Sequence, residues 1–350
     1  MTVSPAPDRD LAALVDDVLR GAEHPGEWRA GLDRPFWDRL AELGLTTLLS
    51  RQGAGWAETA LVVAGAAARG VVLPVAEHDV LAGWLVSGTD AEEDLDGLLV
   101  PVVVDGTGRA RAVPWAPQAD NLVVLTTGEE PRVFVVPAAE VLVSESVDLA
   151  GRPCADIEVP LGQLSGTGES TGGRVREVPA PPGAHTALLR RRRLVRCVQI
   201  TAAMGGALDL AIQYARERVQ FGRPLTGFQA VQHLLADAAA EHALASAATA
   251  AALARADREV AADPMTLGRH ITVASSVVAR SLGVVSRDTH QVLGAMGTTV
   301  EHPLQAVLRP ALAWRAELGD VVDLERSLAE EVIAHDGTVW DWITGSASRE

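Results

Sequence analysis

The stretch that decides the fold is Arg218-Val219-Gln220-Phe221-Gly222-Arg223-Pro224-Leu225, which lies between two long segments of helical periodicity. Gly222 and Pro224 interrupt a helix, because proline lacks the backbone N–H that a helix interior requires. An arginine held at the helix end, beside this break, presents its planar guanidinium group to an anion. The short connection also implies that the two flanking helices are antiparallel neighbours in a bundle.

A second short segment, Gln291-Val292-Leu293-Gly294-Ala295-Met296-Gly297, follows another apolar helical stripe. Its glycines allow a backbone to come close to a flat ligand, because glycine has no Cβ. In order and spacing, the two segments resemble the cofactor-binding motifs of the acyl-CoA dehydrogenase family. Members of that family are flavoenzymes that desaturate the α,β bond of acyl-CoA thioesters.

The resemblance implies FAD as the cofactor. In the first motif, Arg218 is expected to bind the pyrophosphate, Phe221 to pack beside the adenine, and Gln229 to contact the dinucleotide. The alternative for Arg218 is a surface salt bridge to Glu217 or another nearby acid.

The second motif is expected to approach the adenosine part of FAD through Gln291, Gly294 and Gly297. Because the family's motifs act across a subunit boundary, the resemblance implies a dimer or tetramer. The alternative is that the two glycines only end a helix before Pro303.

The expected fold is mostly α with a small β domain, and it resembles the acyl-CoA dehydrogenase fold from end to end. Apolar residues recur at helical spacing near both termini, whereas short β-branched runs separated by turn residues fill the middle. We therefore predict an N-terminal helical domain at residues 1–97, an antiparallel β domain at 98–165, a linker at 166–186 and a C-terminal four-helix bundle at 187–350.

Dehydrogenation requires a base that removes the α proton while the β hydrogen leaves as hydride. The family places this base, a glutamate, either on a loop after the second motif or on the helix that leads to the first. Those positions hold Leu318 and Arg192 here. The candidate base is Glu317, one residue out of register, although a side chain at a helix end is expected to be exposed to solvent.

Other residues near these positions carry different expectations. Arg193 resembles an arginine that many members keep on this helix, which makes it a candidate substrate contact. Asp320 is a second nearby carboxylate, and Glu301 suits a turn or helix cap. The motifs with which the family lines the flavin ring are missing between residues 74 and 160.

Composition limits the functional class. A net charge of −16 over 350 residues argues against nucleic acid as a partner. No apolar run reaches the roughly 18–20 residues of a membrane span, and no leader pattern opens the chain, so we expect a cytoplasmic protein. Cys154 and Cys197 form no metal-type or redox pattern and are expected to be reduced core residues.

The run Leu189-Arg190-Arg191-Arg192-Arg193-Leu194-Val195-Arg196 is a basic island in an acidic chain. Guanidinium groups pair bidentately with phosphates, so one interpretation is contact with the phosphates of coenzyme A. The other is a solvated helix start or a contact with another subunit.

Three functional hypotheses follow. The first is a base-lacking subunit of a heteromeric acyl-CoA dehydrogenase, similar to those of actinobacterial steroid and lipid metabolism, paired with a catalytic subunit in a heterotetramer. The second is a self-sufficient acyl-CoA dehydrogenase with Glu317 as a shifted base. The third is a flavin monooxygenase or another reaction on the same scaffold.

Overall fold

The computed structural model describes residues 9–22, 31–92, 95–164, 175–258, 264–299 and 301–344. Its N-terminal part is helical, with α1 (Arg9–Arg20), α2 (Arg34–Glu42), α3 (Trp56–Ala68), a π-helix (Ala76–Gly83) and α4 (Trp84–Val86). The start of α2 follows from local chemistry, because the Asp33 side chain accepts a hydrogen bond from the Phe36 N–H.

The middle part consists of two small sheets. Its strands are β1 (Leu99–Val104), β2 (Arg109–Pro114), β3 (Asn121–Thr126), β4 (Val133–Pro137), β5 (Leu142–Val147), β6 (Pro153–Glu158) and β7 (Arg176–Val178), with the short helix α5 (Leu161–Leu164) before β7. The first sheet has the order β1-β3-β4-β7 and the second has the order β2-β6-β5.

Two details differ from the expected β domain. The prediction of an antiparallel β domain is wrong for one strand pair, because β1 and β3 pair in parallel, with Leu99 opposite Asn121. The chain leaves the first sheet to form β2 in the second and then returns in the original direction, which a direct hairpin does not allow. The predicted linker at residues 166–186 also needs correction, since β7 lies within it and pairs with β4; residues 166–174 lie outside the described residues.

Both faces of the first sheet are buried, which explains its almost continuous apolar strands. Val123 and Leu125 of β3 belong to a core shared with the C-terminal helices. Leu122 and Val124 point to the other side, into a core shared with the N-terminal helices and the second sheet. The first sheet is therefore the layer that joins the two halves of the molecule.

The C-terminal part is a bundle of long helices. They are α6 (Ala184–Glu217), α7 (Gln229–Ala256), α8 (Pro264–Leu293), α9 (Leu304–Arg315), α10 (Val321–Ile333) and α11 (Val339–Thr344), and a hairpin of β8 (Val219–Gln220) and β9 (Arg223–Pro224) connects α6 to α7. The predicted fold class, mostly α with a small β domain, is confirmed.

Helix α6 is the central element of this bundle. It contacts α3, α7, α8 and α9. Within the described residues it is also the one helix long and apolar enough to cross a membrane, and 67% of its most apolar window is buried inside the fold. An apolar helix with this burial is what a bundle centre requires.

The α3–α6 crossing depends on Gly206. A Cβ at this position would overlap the backbone carbonyl oxygen of Ala68. We expect Gly206→Ala to lower the free energy of unfolding by about 1–3 kcal/mol, because a backbone atom cannot rotate away as a side chain can. Gly283→Ala is the matched control, since Gly283 lies in α8 with open space around it, and there we expect a gain of about 0.5–1 kcal/mol. Urea unfolding of both variants measures the two changes in unfolding free energy. Equal changes would contradict a close approach of α3 and α6 at Gly206.

The π-helix carries three consecutive buried ionisable residues, Glu77, His78 and Asp79. Asp79 accepts hydrogen bonds from the N–H groups of Leu49 and Ser50. His78 Nδ1 accepts from the Leu99 N–H at 3.0 Å, so the ring is neutral. Burial and the nearby Arg51 charge lower the pKa of His78 from 6.5 to about 4.

This histidine predicts a pH dependence of stability. Because its folded pKa lies below its unfolded pKa, the unfolded chain binds more protons between pH 6.5 and 4, and stability is lost as the pH falls through that window. The variant His78→Asn keeps an acceptor for the Leu99 N–H. We expect it to reduce the slope of the unfolding free energy against pH by up to about 1.4 kcal/mol per pH unit. Unfolding in urea across this pH range compares the two proteins, and parallel slopes would contradict a buried neutral His78.

Candidate functional site

A buried guanidinium group stands at the junction of the helical bundle and the β domain. Arg196, on α6, is 1% exposed. Its Nη2 donates to Glu77 Oε1 at 2.7 Å, its Nε donates to Glu317 Oε2 at 2.9 Å, and its Nη1 donates to Gln199 Oε1 at 2.7 Å. Burial alone would lower the pKa of Arg196, but Glu317 and Glu77 outweigh it and raise the pKa above its ordinary value.

A second buried arginine joins the same carboxylates from the β domain. Arg152 is 2% exposed and donates through Nε to Asp148 Oδ2 at 2.6 Å and through Nη2 to Glu317 Oε1 at 3.3 Å. Its Nη1 lies 3.6 Å from Glu77 Oε1. We call Glu77, Asp148, Arg152, Arg196 and Glu317 the ion-pair cluster. It connects the N-terminal helices, the β domain, α6 and the segment after α9.

The ion-pair cluster borders a cavity of about 520 Å³. Strands β1 and β2 and helix α9 supply apolar walls, including Val100, Val102 and Leu312. The same cavity is lined by Arg192, whose guanidinium has no hydrogen-bond or ion-pair partner within the described part of the chain. Burial lowers the pKa of Arg192.

Glu317 lies in the 3₁₀ turn Ala316–Leu318, and its side chain is 21% exposed. The expectation of a solvent-exposed carboxylate is therefore wrong, because each oxygen accepts from a different arginine. Burial raises its pKa, but Arg196, Arg152 and Arg192 outweigh burial and hold the pKa below its usual value. A general base works best with a pKa near the operating pH, so this environment suits an ion-pair partner rather than a base.

The other residues near the expected base positions have separate surroundings. Leu318 is fully buried in the core. Asp320 caps α10 by accepting from the Val322 N–H at 2.7 Å, and Glu301 is exposed in a turn. Arg193 is not among the residues that line the cavity; its guanidinium lies against Gly319, and burial lowers its pKa.

The arginine run does not form one phosphate-binding patch, and it is not a solvated helix start. Arg196 is buried in the ion-pair cluster, whereas Arg191 lies over the rings of Trp56 and Trp84, with its guanidinium carbon 5.1 and 5.0 Å from their centroids. Helical periodicity directs neighbouring arginines to different sides of α6.

The first predicted cofactor motif lies at the exposed end of the bundle. Arg218 ends α6 and makes no ion pair within the described residues, so its predicted alternative, a salt bridge to Glu217, is not formed. Phe221 lies at the tip of the β8–β9 hairpin and is 94% exposed. Its φ of 51° is the left-handed backbone conformation that a tight turn requires. Gln229 is exposed at the start of α7.

The second motif lies at the same end, since α8 runs antiparallel to α7. The contact between the rings of Tyr214 and His302, at 6.5 Å, joins the end of α6 to the segment after α8. Gln291 is exposed, and Gly294 is exposed with a φ of 58° and open space around it. Gly297 instead is buried, where a Cβ would lie 3.0 Å from Leu293 Cβ, so its small size serves packing within the chain.

Cys154 and Cys197 are both buried and free, which confirms the expectation of reduced core residues. Burial raises the pKa of the Cys154 thiol to about 11 and that of the Cys197 thiol to about 12. Neither thiol is therefore a ready nucleophile at neutral pH.

Sequence reasoning missed Glu77 and Arg152 as site residues. The signal for Glu77 was present, because Glu77-His78-Asp79 interrupts an otherwise apolar segment. Arg152 lies in the turn Gly151-Arg152-Pro153 and carries no local signal of burial.

Known proteins resemble this chain in sequence and in fold. Residues 183–320 match the family model described as "Acyl-CoA dehydrogenase, C-terminal domain". The chain is 39% identical over 107 residues to "Probable acyl-CoA dehydrogenase FadE25" of Mycobacterium tuberculosis, a match that spans 30% of this chain and about a quarter (26%) of that relative.

Two solved structures share the fold over nearly the whole chain. The ChsE4–ChsE5 complex from Mycobacterium tuberculosis gives a TM-score of 0.78 at 22% identity, with 96% of this chain and 99% of that chain covered. Butyryl-CoA dehydrogenase from Megasphaera elsdenii gives 0.77 at 16% identity, with 95% and 99% covered.

Over residues 183–320 the chain matches the acyl-CoA dehydrogenase family, and its overall fold is that of acyl-CoA dehydrogenases. The family model covers helices α6 to α9 with both predicted cofactor motifs, and the likeness of fold extends through the β domain and the N-terminal helices. The predicted acyl-CoA dehydrogenase fold is therefore confirmed.

The burial of the ion-pair cluster predicts that removing a buried arginine costs more stability than removing an exposed one. We expect Arg196→Gln to lower the free energy of unfolding by about 3–5 kcal/mol, because it leaves buried carboxylates without their counter-charge. Arg280→Gln is the control: the Arg280–Glu325 pair is just as short, at 2.6 Å, but Arg280 is 61% exposed, so a loss below about 1 kcal/mol is expected. Chemical denaturation of both variants makes the comparison. Similar losses of unfolding free energy in the two variants would show that Arg196 contributes no more to stability than an arginine in a surface ion pair.

Proposed function

We propose that this chain is the base-lacking subunit of a heteromeric, FAD-dependent acyl-CoA dehydrogenase. The observation that carries the proposal is the ion-pair cluster at the place where the family supplies its base. Arg192 occupies one of the two base positions, and at the other Leu318 is buried while Glu317 is held by two arginines. A carboxylate stabilised in its ionised form by neighbouring cations is a weak acceptor for an α proton.

The residues at the bundle end fit the nucleotide half of FAD. Arg218 offers an exposed guanidinium, the group whose fork matches a pyrophosphate, and Phe221 offers an exposed ring that can stack beside adenine. Gln229, Gln291 and Gly294 are exposed at the same end. Gly297 would support this surface from below rather than contact the cofactor. Val219 and Phe221 are both exposed in this hairpin, and neighbouring exposed apolar side chains favour a surface that a ligand or another chain covers.

The residues at the bundle end suit the nucleotide of FAD, but the cavity beside the β domain does not suit the flavin ring. Its β-domain walls are mainly the apolar strands β1 and β2, and its polar groups are the charged residues of the ion-pair cluster and Arg192. We therefore propose that this chain binds the nucleotide of a flavin whose ring lies in a partner subunit. When bound, FAD would supply the oxidant that accepts the β hydride, and the base would come from the partner.

The structural likeness to the ChsE4–ChsE5 complex, which contains two different chains, supports a heteromeric assembly such as a heterotetramer. A homodimer or homotetramer is the corresponding arrangement for a self-sufficient enzyme. The acyl-CoA substrate and the cytoplasmic location remain predictions.

Flavin content tests the proposal. The chain is expressed and purified alone, and also together with an acyl-CoA dehydrogenase chain from the same source that carries the glutamate base. We expect the isolated chain to be colourless and the pair to show the visible absorbance of oxidised flavin, which bleaches on addition of an acyl-CoA. Stoichiometric flavin in the isolated chain, bleached by an acyl-CoA, would instead establish a self-sufficient dehydrogenase. Rapid reaction of its reduced flavin with oxygen would point to a monooxygenase.

Arg218 gives a sharper test of the nucleotide contact. In the co-purified pair, we expect Arg218→Gln to weaken FAD binding about 10- to 100-fold, as the loss of a charge-assisted hydrogen bond predicts. Arg216→Gln is the matched control, because Arg216 is also exposed in the last turn of α6 but lies outside the motif. Equilibrium dialysis with FAD measures both variants, and unchanged affinity for Arg218→Gln would remove this residue from the cofactor site.

A further inference from the structure

The cavity beside the ion-pair cluster carries an excess positive charge. Three carboxylates and four guanidinium groups line it, which leaves one positive charge; they are Glu77, Asp148, Glu317, Arg111, Arg152, Arg192 and Arg196. All of them lie in the described part of the chain. A cavity with this balance is complementary to a single negative charge.

The charges in this cavity are unevenly paired. Arg196 donates to three side-chain oxygens, whereas Arg192 has no hydrogen-bond or ion-pair partner among the described residues. Arg192 is partly buried and the charges of Glu317 and Glu77 act on it without direct contact, so an anion in the cavity would give its guanidinium a direct partner. Arg152 adds a second donor, since its Nη1 is buried and makes no hydrogen bond within the described structure.

An acceptor lies beside these donors. Glu77 is 4% exposed, and its Oε2 is buried without a hydrogen-bond donor within the described residues. Only an N–H or O–H group can satisfy this oxygen. A ligand that pairs with all three side chains therefore carries an anionic group for Arg192 and Arg152 and a hydrogen-bond donor for Glu77.

The remaining walls define the rest of the ligand. Leu81, Val100, Val102, Val113 and Leu312 offer apolar surface around the charged groups. A volume of about 520 Å³ holds a small organic molecule with space to spare. We propose that this cavity binds a short-chain hydroxycarboxylate: its carboxylate pairs with Arg192 and Arg152 Nη1, its hydroxyl group donates to Glu77 Oε2, and its alkyl part contacts the strands.

The proposal goes beyond the flavin role and does not depend on it, because it concerns a free acid bound by this chain alone. Calorimetric titration of the full chain, purified without flavin or partner, uses 3-hydroxybutyrate, butyrate, 1,3-butanediol and sodium chloride as probes. We expect the hydroxycarboxylate to bind at least about 5-fold more tightly than butyrate, since butyrate leaves Glu77 unsatisfied. The uncharged diol is expected not to bind.

Arg192→Gln is the decisive variant. It should weaken 3-hydroxybutyrate binding at least about 10-fold. Because Arg192 makes no hydrogen bond or ion pair within the described residues, the thermal midpoint should change little, which separates lost binding from lost folding. Arg190→Gln is the matched control, since Arg190 lies two residues away but lines a different cavity, and it should bind as the parent chain does.

Three results would overturn the proposal. They are the absence of binding by 3-hydroxybutyrate, equal binding by chloride, and unchanged binding in Arg192→Gln. None of them bears on the flavin role, which is measured by absorbance in the co-purified pair.

Discussion

The hydrogen bonds from Arg196 to Glu77 and Glu317 are the interaction on which the arrangement of this molecule depends. Glu77 belongs to the N-terminal helices, Arg196 to the central helix of the bundle, and Glu317 to the segment after α9. Arg152 adds the β domain by donating to Glu317. Ion pairs with this burial contribute little net stability compared with an apolar replacement. We infer that the cluster fixes how the parts meet rather than how strongly they associate.

The apolar layers around the cluster provide the stability. The first sheet is buried on both faces, so the N-terminal helices and the bundle pack on a shared wall. Helix α6 approaches α3 closely at Gly206, so the N-terminal helices also pack directly on the bundle. These apolar layers exclude water from the charged groups of the cluster. Each buried charge therefore needs a counter-charge or a hydrogen-bond partner from a neighbouring residue or from a ligand.

The sequence was most informative where function is local. Each predicted cofactor motif is a short continuous stretch of sequence, one around Gly222 and Pro224 and the other around Gly294 and Gly297. These two stretches were enough to predict the helical bundle and the end of it that carries the motifs. The cluster was not predictable, because its residues are separated by up to 240 positions along the chain, from Glu77 to Glu317, and meet only in the folded state. Glu317 illustrates this: a helix-end carboxylate is usually solvated, and only the positions of Arg152 and Arg196 direct it inward. The parallel pairing of β1 with β3 likewise depends on β2 joining another sheet, which strand patterns do not reveal.

We infer that Glu317 is an ionised structural partner at neutral pH rather than a catalytic base. Its protonation can be followed directly in protein labelled with ¹³C at the glutamate side-chain carboxyl carbon, with Glu317→Gln used to assign the resonance. If the arginines hold the carboxylate as described, the resonance will remain that of an ionised group as the pH is lowered to the ordinary glutamate pKa of 4.5 and will titrate only below it. A titration midpoint near neutral pH would contradict a structural role for Glu317, because a carboxyl group with that pKa is poised to accept the α proton.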